Sequence, residues 1–436
     1  MAEPRAAWSN WAGNQRCEPH VVLPVSEAEV AETVRYAGER GQRVKAVGSG
    51  HSFTPVAVTD GVHVRLDALT GVVSIDDERG EAVVRAGTPL FVLNHELAAA
   101  GWAMPNLGDI DRQTLAGATA TGTHGTGLRL PGLAAGVRAL RIVLADGSAV
   151  ACSPDHAPEL FHAARLGLGA LGVVTELTVA VVPAYLLEAH EKPERLSSLL
   201  EHVDDEIEGN DHFEFYWFPH TDRALTKRNN RVPVGTPRAP LPRWRARLDD
   251  DLLSNRVFEL TNRVATRVAR STRAINAIAG RVLSERRYTD HSHRVFVTAR
   301  DVRFVESEWA VPRQSLVALL TELRRWIDRH DERISFPVEC RVAAPDDVWL
   351  STAFERESAY IAIHRYARQP MGGYFDAFER MAMEHGGRPH WGKLHQRDAD
   401  WLRGAYPRFD DFARVRDQVD PGRVFGSAYL ERVLGP

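Results

Sequence analysis

Cysteine is scarce in this chain. Cys17, Cys152 and Cys340 are the only three in 436 residues, and no two lie close together. Isolated thiols cannot build a disulfide framework or a four-thiolate zinc site, which points to a reducing, cytoplasmic setting. Long apolar runs are missing as well: no stretch approaches the roughly 18 residues that a membrane span needs. The start, Met1 to Trp8, has neither the basic head nor the apolar centre of a secretory signal. A surplus of charge is also lacking, since 54 Lys and Arg against 58 Asp and Glu leave a net −4, which gives no general case for nucleic acid. Repeats and low-complexity tracts do not occur. What remains is 44% hydrophobic and 26% charged, the balance of a soluble globular protein. On a prior of about 150 residues each, that length suggests two or three folding units. Eighteen histidines, six for every cysteine, are the unusual abundance.

Ser26 to Glu29 is a capping box, and Val30, Val34 and Ala37 follow at helical spacing until Gly41. The β-type run Val44 to Val47 ends in Gly48, Ser49, Gly50, His51 and Ser52, and a strand that runs into a glycine turn is a phosphate-binding arrangement. Residues 71–75 and 82–86 predict a hairpin, and Thr88 a helix cap with Pro89 at the first helical position. From Leu115 to Gly127 nearly every side chain is small, as where backbone must approach something closely. Asp146-Gly147 joins 140–145 to 149–152 in a second hairpin. The first unit therefore reads as α+β and ends near Pro183. Beyond it, Phe213 to Phe218 alternates as a strand of a second, substrate-facing unit.

Between Leu241 and Arg287 eleven arginines face five carboxylates, with apolar residues at roughly helical intervals. Such a helix rests on an anionic membrane or packs its apolar stripe on its own domain, and the second reading is favoured.

Gly167 to Gly172 matches the dinucleotide fingerprint letter by letter, but the β-branched run Val173 to Val179 follows it where a helix is required, which argues against Rossmann-type binding. Neither Ser49 nor Ser52 sits in a Gly-x-Ser-x-Gly elbow. More specific is the pair of loops 48–52 and 120–127, each with a histidine in a tight, hydroxyl-rich turn whose N–H groups suit a diphosphate. Two exposed loops are the plain alternative. Glu339 and Arg341 fall on one face of a strand in 334–342, fit to hold a polyol or to form an ordinary surface ion pair. Residues 386–395 bunch Arg388, His390, Trp391, Lys393 and His395, with no metalloprotease spacing and no metal expected. A metal-dependent hydrolase using His51, His124 and His390 is the rival from another class.

Taken in order, Trp8 to Gly13, Gly48 to Phe53, Ala120 to Gly125, Pro337 to Arg341, Arg388 to Lys393 and Asp420 to Leu430 resemble the aldonolactone oxidases: the L-gulono-1,4-lactone and D-arabinono-1,4-lactone oxidases, with alditol oxidases as close relatives, in the vanillyl-alcohol oxidase superfamily. The resemblance implies a PCMH-type FAD-binding domain of two α+β subdomains over 1–182, an antiparallel-sheet cap over 183–385, and a segment 386–436 returning to the FAD domain. It implies covalent FAD on His51, with Gly48, Ser49, Gly50 and Ser52 around the diphosphate. Thr121, Gly122, Thr123, His124, Gly125 and Thr126 would line the cofactor's other side; Gly172, Val173 and Val174 would approach its adenine half, and His390 and Lys393 would lie near the ring. Glu339, Arg341, Lys393 and His364 are the implied catalytic residues, Glu339 orienting the reacting hydroxyl or taking its proton. Alditol oxidases carry serine where this chain has Ala118, and threonine at the place of His364. The implied substrate is therefore an aldonolactone, with a linear polyol as the alternative and oxygen or another acceptor reoxidising the flavin. Histidines other than 51, 124, 364 and 390 are expected at the surface.

Overall fold

The computed structural model describes residues 5–242, 272–273, 275–276, 284–298, 302–369 and 371–436. Most of the basic stretch 241–287 lies outside the described residues.

A small parallel sheet of β1 (His20–Val22), β2 (Val44–Val47) and β3 (Val62–Arg65) has the order β1-β3-β2. Helix α1 (Glu27–Glu39) begins where the capping box predicts: Ser26 accepts from the Glu29 N–H at 3.2 Å, and Val30, Val34 and Ala37 are buried. An antiparallel sheet follows, made of β4 (Val72–Asp76), β5 (Glu81–Arg85), β6 (Val137–Val143), β7 (Ala149–Cys152) and β8 (Val173–Ala180), in the order β7-β6-β8-β5-β4. Both predicted hairpins are present in it.

One local expectation needs correction. Helix α2 (Leu90–Ala99) is capped by Pro89, not by Thr88. The Thr88 hydroxyl instead donates to the Arg85 carbonyl at 2.6 Å and accepts from the Gly71 N–H at 2.9 Å, closing the β4–β5 region. Within the small-residue stretch lies α3 (Leu115–Ala120), with Thr114 as its N-cap. Its short side chains hide a helical period but let it lie close to its neighbours.

The largest sheet is built from β9 (Leu186–Arg195), β10 (His212–Phe218), β11 (Arg223–Arg231), β12 (Arg286–His291), β13 (Phe304–Pro312), β14 (Val338–Ala343), β15 (Ser358–Tyr366) and β16 (Arg388–Pro389). It is antiparallel throughout and ordered β12-β9-β11-β10-β14-β15-β13-β16. Phe213, Phe215 and Trp217, with Val338, Cys340, Ile361 and Ile363, form one buried face. Helices α4 (Leu316–His330) and α5 (Tyr374–Glu384) join the same cluster through Leu319, Leu320, Leu323, Tyr374 and Phe378. The opposite face is polar. Register places Tyr216 opposite Glu339, Glu339 opposite Ala362, and Ala362 opposite Glu308, a row across four strands.

The expectation that the remaining histidines lie at the surface also fails. His63, His212 and His395 are buried, and His63 and His212 donate ring N–H groups to the carbonyls of Ala57 at 2.7 Å and Thr126 at 2.8 Å. One internal acceptor per ring offsets part of the cost of burial for these two, the second nitrogen of each being buried without a hydrogen-bond partner.

Candidate active site

Two cavities meet at the first histidine loop. A long groove is lined by Gly48, Ser49, Gly50, His51 and Ser52, by Ala116, Gly117, Ala120 and Thr121 along α3, and by Gly167, Gly169, Gly172 and Val174 on the far wall. No described residue lining it is lysine or arginine. A smaller cavity is lined by Trp11, Phe53, Asp109, Thr123, His124, Glu308, Arg341, His390 and Lys393, and it shares His51, Ser52, Gln113 and Thr121 with the groove.

Local structure explains which of the expected residues face these spaces. Alternation on β8 turns Val174 into the groove and Val173 into the core. Helical rotation on α3 likewise buries Ala118. Gly122 contributes its backbone as a hydrogen-bond partner of the His390 ring. Gly125 is needed for closeness, because a Cβ there would stand 2.3 Å from the Leu107 carbonyl oxygen. Thr126 is a tie: its hydroxyl donates to the Phe213 carbonyl at 2.5 Å and accepts from the Val342 N–H at 3.2 Å, joining the second histidine loop to β10 and β14.

Around the smaller cavity the charges are buried and paired. Lys393 donates to Glu306 Oε2 at 2.6 Å, and His364 Nε2 stands 3.7 Å from the other oxygen of that carboxylate. Burial alone would lower the Lys393 pKa, but Glu306 and Glu308 outweigh it, so the ammonium is held charged. Arg341 donates through Nε to Glu214 at 2.9 Å and pairs with Glu339, while Asp109 lies 3.5 Å away. Tyr216 bridges the same two carboxylates, its hydroxyl 3.2 Å from Glu214 and 3.1 Å from Glu339. Lys227 donates to Glu214 at 2.6 Å, and burial loses to Lys227 and Arg341, which carry the Glu214 carboxyl down to about 2. Glu339 and Arg341 do share a strand face, yet as a buried network rather than an exposed pair. Glu339 and His364 do not line the smaller cavity; they stand behind Arg341 and Lys393.

The imidazoles form a second group. His124 stacks on Tyr360 with centroids 3.6 Å apart; one ring nitrogen is 2.8 Å from the Gly125 carbonyl and the other 3.3 Å from Glu308. Despite its burial, the Glu308 carboxyl is held well below the usual range by His124. Burial drives His390 down to about 3, and its Nδ1 accepts from the Gly392 N–H at 3.0 Å, so the ring is neutral. Burial, helped by Lys393 and Arg112, lowers His51 to about 4, which leaves another neutral imidazole. His124, Glu308 and His390 place one ligand atom each within 4.8 Å of one another. The His390 ring nitrogens, however, are already engaged by the backbone of Gly392 and Gly122.

Sequence reading missed Asp109, Glu214, Tyr216, Glu306 and Glu308. The signal was present in part, since alternation along 213–218 already sets Glu214 and Tyr216 on one face. Nothing local shows that this face meets Glu339.

A sequence model described as D-arabinono-1,4-lactone oxidase matches residues 177–433. The chain belongs to that family. A model described as FAD binding domain matches residues 19–153, which include the first histidine loop and α3. Family members similar to the chain over 98% of its length include the L-gulono-1,4-lactone dehydrogenase of Mycobacterium tuberculosis, 42% identical over 430 residues and 99% of that protein. The L-gulonolactone oxidase of Scyliorhinus torazame is 33% identical over 98% of either chain. Cholesterol oxidase from B. sterolicum superposes with a TM-score of 0.84 over 99% of this chain and 97% of its own, at 16% identity, a likeness of fold. The family is one of flavin-dependent oxidoreductases, and the α+β architecture with an antiparallel-sheet cap agrees with that fold. Among the described residues no helix is long and apolar enough to cross a membrane.

Proposed function

We propose that this family member oxidises a CH–OH group of an aldono-1,4-lactone, of the L-gulono or D-arabinono type, with FAD joined covalently to His51. The observation that carries the reading is the meeting of the two cavities at His51: a cation-free groove of glycines and hydroxyls on one side, and a compact pocket holding Arg341 and Lys393 on the other. The groove fits a diphosphate that backbone N–H groups and Ser or Thr hydroxyls would hold. Gly50, at φ +68°, is one turn position there that suits glycine. Bound FAD supplies a two-electron acceptor at its ring.

The remaining roles belong to side chains. His51 is neutral and therefore has a free lone pair for attachment. Arg341 and Lys393 point positive charge at the pocket, stabilising negative charge that develops on the reacting oxygen and in the cofactor ring. Glu339 and His364 fix those two cations from behind, and Glu339 orients the reacting hydroxyl through Arg341. The 1–182 and 386–436 segments would form the FAD domain and 183–385 the cap, with the pocket between them. Support comes from one core cluster that joins residues of the first 181 to Trp391, Phe409 and Leu430, with Leu187, Phe296 and Trp349 of the cap packed into it, and from a second that lies mainly in 196–382. Free cysteines suit a cytoplasmic setting.

Anaerobic mixing of the purified protein with L-gulono-1,4-lactone, D-arabinono-1,4-lactone or xylitol tests the reading. Faster bleaching of the flavin by a lactone is expected, and faster bleaching by xylitol would replace it with a polyol substrate. Admission of air or a dye afterwards identifies the acceptor, because the named relatives include a dehydrogenase and an oxidase.

A further inference from the structure

The N-terminal segment forms a clamp on the His51 loop. Trp8–Ser9 pairs antiparallel with Arg16–Cys17, and the turn between them lies against residues 50–53. Trp11 donates its backbone N–H to the Gly50 carbonyl at 2.8 Å. Asn10, next to it, donates its side-chain amide to the Ser52 carbonyl at 2.9 Å. The carbonyls of both neighbours of His51 are thus held by two consecutive residues. Asn10 is itself locked, because its amide also reaches Asn14 Oδ1 at 2.7 Å and its own oxygen accepts from the Gln15 N–H at 3.0 Å. Asn14 and Gln15 each donate to the Phe53 carbonyl at 2.9 Å. The Trp11 indole then stacks on the His51 imidazole, with centroids 5.7 Å apart and planes 26° from parallel. Behind it Phe304 meets the indole edge-on at 5.2 Å, so the ring is backed by the cap sheet.

The stack meets the imidazole ring itself, and the two hydrogen bonds fix the backbone on either side of it. A nucleophile kept in one rotamer beside its target reacts faster than one that must search for the geometry. We propose that Asn10 and Trp11 are positioning residues for covalent flavin attachment, holding the His51 ring in one orientation where the two cavities meet. This rests on the His51 assignment above. In that step one bond forms between an imidazole nitrogen and the flavin 8α carbon, and one C–H and one N–H bond break. Both hydrogens leave as protons to solvent, the electron pair of the broken C–H bond stays on the ring, and the acceptor that serves turnover then removes those two electrons.

The test compares wild type with His51→Ala, Trp11→Leu, Trp11→Phe and Asn10→Ala as purified holoproteins. Two quantities are read for each: total FAD per chain in the native protein, and the fraction that stays with the acid-precipitated polypeptide. Wild type should retain its flavin and His51→Ala should release it. Trp11→Leu should bind a similar total amount but retain at least about tenfold less after acid, with Trp11→Phe, which restores an aromatic stack, close to wild type. A merely structural tryptophan would lower total FAD and covalent FAD together, or neither. Full retention in Trp11→Leu overturns the proposal while leaving His51 as the attachment site. Release of flavin by wild type overturns both. Should Trp11→Leu not fold, Asn10→Ala decides alone: it keeps the indole but frees the Ser52 carbonyl, and undiminished retention in it defeats the clamp.

Discussion

Lys393, from the loop after β16, and Glu306, on β13, form a hydrogen-bonded ion pair of 2.6 Å at the wall of the smaller cavity. The loop is held in place by main chain too, since the Leu394 N–H donates to the Glu306 carbonyl at 2.8 Å. Replacing Lys393 by Met removes the cation from the pocket and leaves Glu306 buried without it. A fall of about 10²-fold or more in the rate of flavin reduction by lactone is expected, in line with the loss of one preorganised charge from a dry site. Anaerobic stopped-flow measurement checks it, and an unchanged rate would remove Lys393 from the reaction.

Arg341 pairs directly with Glu214 and Glu339, with Asp109 a third carboxylate at 3.5 Å, and no neutral side chain can replace it. Arg341→Met should therefore destabilise the fold by about 3–5 kcal/mol, the usual cost of stranding one side of a buried ion pair. Arg341→Lys should rescue only part of this, because an ammonium lacks the fork that reaches both partners. Urea unfolding of the three proteins measures the order; equal stability of the Met variant would show that the network is not held by Arg341.

His390 and His395 each titrate near 3, lowered from the ordinary histidine value chiefly by burial. The unfolded chain takes up their protons near pH 6.5, whereas the folded chain does not until about pH 3. Between those values the unfolded state binds more protons, so stability falls as pH falls, by about 1.4 kcal/mol per pH unit for each fully differential site. Unfolding free energies at pH 7, 6 and 5 should descend with a steepening slope. A flat profile over this window would contradict the two neutral rings.

Gly172 ends the fingerprint-like run, and a Cβ there would stand 2.4 Å from the Val143 carbonyl oxygen, a backbone atom of β6. Gly172→Ala should cost about 1–3 kcal/mol by overpacking and displace the groove wall. Lower melting temperature together with weaker FAD retention is the expected pair of readings. An alanine variant that melts with wild type would show that β6 yields at this point.

What was legible in the sequence was local. The capping box before α1, the hairpin turns and the alternation of 213–218 are each written within a dozen residues; the Ser26 cap bears out the first and strand pairing the other two. The order of eight strands is not written that way. Glu306, Glu308 and Tyr216 reach the site through register between strands far apart in sequence, so no spacing in the chain announces them. Helix α3 was hidden for another reason: alanine, glycine and threonine give no apolar stripe to detect. Thr88 misled because threonine before proline is a common helix start, and here a hairpin claimed its hydroxyl first.

The two-residue strand Arg388–Pro389 has a consequence for the order in which the molecule can be made. β13 pairs with β15 along one edge and with this short strand along the other. Until the ribosome has delivered residues 388 and 389, the Trp309–Ala310 edge of a sheet with one apolar face has no strand to close it, and an open edge of that kind recruits other chains. Synthesis of the tail thus comes before safe completion of the cap, and a ribosome stalled shortly before Arg388 would release a species prone to aggregate rather than a smaller working enzyme.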